Sequence, residues 1–257
     1  APYQSMEGLR QAIIGRAHAE LSELLQKFER TALLGRTPDK ADLNNVVREA
    51  FGEGTKAPAA KALADSWLQV AEGLRQRFNR GGGDIGKIEN WGLPQSHDPT
   101  ALLRAGKQTW KDAIRGRIDL ARMRHPVTGD EILDDEIEAI LDRVWQDIVT
   151  NGWASREPSQ VPNGRGAGAA QHAEHRFLIF KSADDWMAYQ RDFGQGNAFS
   201  AMMNHINRMA RDIAAIERLG PNPNAMLTFL KQRIEKTAAA RLTDDAVPFA
   251  GSRARAD

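Results

Sequence analysis

Six histidines and no cysteine bound the chemistry open to this chain of 257 residues. Without thiols it forms no disulfide, no thiolate nucleophile, no Fe–S cluster and no Cys-based zinc site. The densest ligand-type cluster is His172-Ala173-Glu174-His175. Two imidazoles and a carboxylate suit a divalent ion. The histidines, however, stand three apart rather than the four of the helical metalloprotease motif, and no third ligand is evident. A second candidate is His97-Asp98 with Trp91 nearby, an imidazole that a carboxylate could orient as general base. No Ser stands in a nucleophile elbow. A hydrolase or transferase reading would therefore place its site near Trp91–Asp98 and His172–His175.

Three further patterns invite chemistry. Gly81-Gly82-Gly83-Asp84-Ile85-Gly86-Lys87 has the Gly-to-Gly-Lys spacing of a phosphate loop. Ile88 replaces the metal-binding hydroxyl and a helix precedes it, so the expectation is a helix-terminating turn. Asp134-Asp135-Glu136 and Glu138 could supply a carboxylate pair for glycoside hydrolysis, but they belong to an acidic run on a helix. Lys107, Lys111, Arg115, Arg117, Arg122 and Arg124 make the 107–124 stretch a candidate for contact with DNA phosphates, the basis of an alternative reading as a DNA-associated packaging or portal-proximal factor, although no aromatic interleaving or nucleic-acid motif accompanies it. None of these patterns assigns a catalytic, cofactor-binding or metal residue.

The elements that must position these residues read as helices. Ala, Leu, Arg, Glu, Asp and Gln dominate and β-branched residues are sparse. Apolar residues recur three or four apart over 5–34, 58–79, 100–123 and 133–150. Further helices are expected over 40–51, from Ser182 to Phe193, from Ala198 to Leu219, and over 224–242. Arg176–Phe180 is the single expected strand. The fold class is thus mainly α: seven to nine helices with long Gly/Pro-rich breaks and at most one minor strand. The segments are a helical 1–80, a Gly loop plus two helices over 81–153, a flexible linker over 154–170, and a helical 171–257 with a polar tail. Bending is expected at Gly81–Gly83 and 154–170. Trp91, Trp186, Tyr189 and Phe193 are expected to be structural anchors.

Charge is balanced in total, with 35 Lys and Arg against 34 Asp and Glu. That excludes a strongly basic nucleic-acid binder at the whole-chain level. The distribution is uneven. Residues 129–150 carry eight acids against Arg143 alone, while 81–128 and 201–257 are each net basic. A neutral total can thus hide an acidic helix facing basic neighbours, read either as solvated faces with some pairing within the chain or as a polar protein–protein contact. No apolar run approaches the roughly 20 residues of a membrane span, and residues 1–5 have neither the basic nor the apolar region of a signal peptide.

One ordered set of motifs goes further. It runs Phe78-Asn79-Arg80-Gly81-Gly82-Gly83-Asp84-Ile85-Gly86, then Trp91-Gly92-Leu93-Pro94-Gln95-Ser96-His97-Asp98. It continues with His175-Arg176-Phe177-Leu178-Ile179-Phe180-Lys181-Ser182-Ala183-Asp184-Asp185-Trp186, Tyr189 and Phe193-Gly194. Met209-Ala210-Arg211-Asp212-Ile213-Ala214 and Leu219-Gly220-Pro221-Asn222-Pro223 complete it. The pattern covers a little over half the chain and resembles the long internal virion proteins of tailed bacteriophages, the ejection or DNA-transfer proteins. The resemblance implies a structural role: packaging inside the capsid, exit with the genome, and help in forming a conduit through the host envelope. Its implied partners are other copies of itself and other internal virion or portal proteins. Some such proteins carry a peptidoglycan-cleaving domain elsewhere, and no catalytic residue of that kind maps here. The ends, Ala1-Pro2-Tyr3 and the polar Thr243–Asp257, lead to the expectation of a piece of a longer virion protein. On that reading helices 5–34 and 224–242 expose apolar faces for missing parts or neighbouring copies to cover.

Overall fold

A computed structural model describes residues 5–33, 40–83, 85–87, 93–123, 130–133, 135–150 and 178–245. Among the described residues the chain forms ten α-helices and no strand. They are α1 (Met6–Glu20), α2 (Ser22–Leu33), α3 (Lys40–Ala50), α4 (Pro58–Arg80), α5 (Pro99–Ala105), α6 (Lys107–Arg115), α7 (Ile137–Val149), α8 (Ala183–Phe193), α9 (Ala198–Leu219) and α10 (Pro223–Asp245). A 3-10 turn, Leu120–Arg122, lies between α6 and α7.

Local chemistry sets most of these boundaries. Side-chain oxygens of Ser5, Asp98, Ser182 and Asn197 accept the first free N–H groups of α1, α5, α8 and α9. Pro58 occupies the first turn of α4, where its missing N–H costs nothing. Gly220 closes α9 at φ 85°, and Pro221 prevents its continuation.

The central element is α9. Met202, Ile206, Met209 and Ile213 recur on one face, all fully buried. α9 packs on α1, α4 and α3, and α3 packs in turn on α4. Trp67, Val70 and Leu74 line the facing side of α4. A second layer holds α5, α6, α7 and α8, with α5 touching the other three. Arg48 on α3 binds Asp184 at the start of α8, with Nη1 and Oδ2 3.1 Å apart. Glu53, just after α3, accepts the Ala183 N–H at 2.6 Å. These contacts join the layers, and buried residues from Ile13 to Ile216 form one core.

Several expectations need correction. Ten helices exceed the seven to nine expected, because two long periodic stretches are each divided. The 5–34 stretch bends at Leu21, whose N–H is shared between the Ala17 and His18 carbonyls. Its apolar face is not exposed either: Ile13, Ile14, Ala17, Leu21 and Leu24 are buried. The 100–123 stretch breaks at Gly106, which adopts φ 82°, a conformation side chains with a Cβ disfavour. Helix then ends at Arg115. Of the expected strand, the described residues 178–180 contribute an isolated antiparallel bridge between Phe180 and Ile118. Hydrogen bonds from Asp119 N to Ile179 O (2.7 Å) and from Lys181 N to Arg117 O (2.9 Å) flank the bridge. In this fold Gly81–Gly83 is tightly packed. A Cβ on Gly81 would stand 2.6 Å from the Ile216 side chain, and one on Gly82 2.9 Å from Pro221. The linker 154–170 and the residues Asp84, Trp91, Arg176 and Phe177 lie outside the described residues.

Candidate functional site

The segment 93–98 is extended between α4 and α5, and Leu93, Pro94, Gln95 and Ser96 are buried. Buried polar side chains in a segment without helix or strand must find hydrogen-bond partners. Here they come from residues about 90 positions later. Gln95 donates from Nε2 to the Leu178 carbonyl. Ser96 Oγ donates to Gln195 O (3.0 Å) and accepts the Gln195 N–H (3.0 Å). Gln190, itself buried on α8, donates to the same hydroxyl. The Asp98 N–H donates to Phe193 O at 2.8 Å.

Beside this seam stands His97. Its Nδ1 is 2.8 Å from the Tyr189 hydroxyl, and the rings meet edge to face at 5.7 Å. Trp110 Nε1 donates to the same hydroxyl at 3.3 Å. Trp110 can only donate, so the arrangement is fully used when Tyr189 donates onward to Nδ1 and His97 carries its proton on Nε2. Burial pushes the Tyr189 phenol well above its ordinary range, so the ring stays neutral. Phe180 and Phe193 pack on Tyr189 at 5.2 and 5.5 Å between centroids.

This arrangement positions structure more than it prepares a reaction. Asp98, the expected orienter of His97, instead caps α5 by accepting the Thr100 (2.9 Å) and Ala101 (3.3 Å) N–H groups. The Ser96 proton and lone pairs are spent inside the seam. The anchors Trp186, Tyr189 and Phe193 are buried as expected. His172, Glu174, His175 and Trp91 lie outside the described residues. Among the described residues no group of three His, Cys, Asp or Glu side chains could hold a metal ion.

The basic stretch meets the acidic one. Lys107, Lys111 and Arg115 follow each other at four-residue spacing along one face of α6. Lys111 is 5% exposed, with Nζ 2.6 Å from Glu138 Oε2 and 2.8 Å from Asp142 Oδ1. Lys107 reaches Asp142 at 3.3 Å, and Arg115 pairs with Glu138. Hydrogen bonding from Lys111, then from Lys107, holds the Asp142 carboxyl below its usual range. Arg117 pairs with Asp192 at 2.8 Å. Four of the six cations of the 107–124 stretch therefore face carboxylates of this chain, and Arg124 lies outside the described residues. Glu138, a candidate glycosidase acid, serves as a counter-ion on α7. Gly81–Lys87 closes a helix C-terminus, opposite in polarity to a phosphate cradle.

The helix expected over 224–242 is α10. All of its described side chains from Asn224 to Ala239 are exposed, although the helix carries Met226, Leu227, Phe229, Leu230 and Ile234. A shallow, open concavity of about 410 Å³ lies along this one helix, lined by Leu230, Arg233, Ile234, Thr237 and Ala238. The exposed apolar side chains agree with the uncovered face expected for 224–242. No described helix is long and apolar enough to cross a membrane. No protein-family model, curated protein or solved structure matches the chain.

Proposed function

We propose that this chain is a structural internal component of a tailed-phage virion that acts in genome ejection through the host envelope by assembling with other proteins. The observation that carries the reading is α10, about 35 Å of helix at 1.5 Å per residue, which leaves Met226, Leu227, Phe229, Leu230 and Ile234 exposed. Helices of this kind draw most of their stability from packing, and such faces mark protein contacts.

The motifs behind the resemblance support the same role. Gly81–Gly83, Gln95-Ser96-His97, Trp186, Tyr189 and Phe193 serve the packing of one core, as a scaffold signature would. The charged groups best placed for chemistry are engaged with one another across α6 and α7.

The test is the composition of the intact particle. Quantitative mass spectrometry of purified virions is expected to find the polypeptide at a fixed multiple of the portal copy number, and to find it missing from particles that have released their DNA. Its absence from the virion, or its retention in emptied capsids, would overturn the reading.

A further inference from the structure

We propose that α10 of one copy docks on the acidic surface at the entry to α7 of a second copy, in a head-to-tail contact. This rests on the assembly reading above and names its partner surface. On α10, Met226, Leu227, Leu230 and Ile234 share one face at helical spacing, and Ile234 is 69% exposed. Lys231 and Arg233 flank that face on its two sides, one residue step past Leu230 and one before Ile234. Over 226–241 the cations are Lys231, Arg233, Lys236 and Arg241, against Glu235 alone.

Those flanks argue against the simplest occupant, another α10. Pairing two copies of this stripe brings cations to both edges of the seam, where opposite charges are needed to set partner choice. The occupant must combine an apolar contact with acidic edges. Among the described residues, the entry to α7 has that chemistry. Leu133 is 61% exposed and stands between exposed Glu131 and Asp135. The surrounding 129–150 stretch has the eight acids noted above; Glu138 and Asp142 face α6, while Glu131 and Asp135 are exposed beside Leu133. The same chemistry, basic helix against acidic helix, already joins α6 to α7 within the chain. A contact between two different surfaces does not close on itself, so it builds rings or filaments rather than dimers.

The experiment is sedimentation velocity on the 257-residue chain, two charge-reversed variants and their mixture. One variant is Lys231→Glu/Arg233→Glu/Lys236→Glu; the other is Glu131→Lys/Asp135→Lys. All five positions are exposed, so both variants are expected to keep the wild-type helical circular dichroism and melting temperature. Wild type is expected to sediment as oligomers that dissociate in high salt. Each variant alone is expected to associate at least roughly tenfold more weakly, since like charges then face each other. The equimolar mixture is expected to assemble again, because each reversed α10 then meets a reversed acidic surface. If the single variants assemble like wild type, or the mixture stays monomeric, this interface is wrong while the assembly reading stands. If wild type is monomeric at every concentration, the second copy is excluded as occupant. Binding of that monomer to phosphatidylserine vesicles would then assign α10 to a lipid surface, and failure to bind would remove support from the assembly reading as well.

Discussion

Lys111 on α6 lies 2.8 Å from Asp142 on α7, and its ammonium is almost wholly enclosed. Desolvating a cation costs several kcal/mol, which the pair recovers only because Glu138 and Asp142 both face it. Lys111→Ala is expected to destabilise the fold by about 2–3 kcal/mol, below the usual figure for a fully buried pair because both carboxylates are partly solvated. Lys111→Met, which keeps the buried stem, is expected to cost less. Urea unfolding followed by circular dichroism measures both, and equal losses would contradict the account.

Tyr189→Phe removes one oxygen and strands two polar groups, the Trp110 N–H and His97 Nδ1. The expected loss is about 1–3 kcal/mol. Trp186→Ala, at a fully buried ring, should cost about 3–5 kcal/mol. Differential scanning calorimetry would register the two in that order; a neutral Tyr189→Phe would mean the hydroxyl contributes nothing net.

Gly82 combines φ 105° with a Cβ position 2.9 Å from Pro221. Gly82→Ala is expected to destabilise by about 1–3 kcal/mol through backbone strain and collision. Gly86→Ala has open space and φ outside the left-handed range, so it should be near neutral. Thermal melts of the two variants side by side make the comparison, and equal melting temperatures would refute the packing role.

Acid should weaken the end of α4. Hydrogen bonding from Arg75 holds Glu72 at about 2, against an ordinary 4.5. A folded-state pKa below the unfolded one means the stabilisation is fully present above pH 4.5. It is lost as pH falls from 4.5 towards 2. Because the pair is partly solvated, the contribution is about 1 kcal/mol or less. Glu72→Gln should therefore be less stable than wild type at pH 6, with the gap closing as pH approaches 2. A gap that stays constant between pH 6 and 2 would disprove the linkage.

Features with a local cause were legible in the sequence. Ser182 with Asp184 and Asp185 announces α8, Gly220-Pro221 ends α9, and both helices begin and stop where those residues dictate. The opposed charge blocks foreshadowed the ladder between α6 and α7. Features with a tertiary cause were not. Leu21 carries no breaker, and the bend there accompanies the burial of Leu21 and Leu24. Gly106 sits inside a periodic run, where a single glycine is usually tolerated. The seam through Ser96 depends on Gln190, 94 residues away, and no spacing rule links them.

The central place of α9 has a consequence for synthesis. α1, α3 and α4 leave the ribosome long before the helix that covers them, since residues 81–197 intervene. At roughly 5–20 residues per second, that delay lasts on the order of 6–25 s. During it Trp67, Val70 and Leu74 have no α9 to bury them, and the nascent N-terminal half is a natural client for chaperones. A ribosome stalled before Ala198 should hold a protease-sensitive chain, and one stalled after Asp245 has emerged should hold a resistant one.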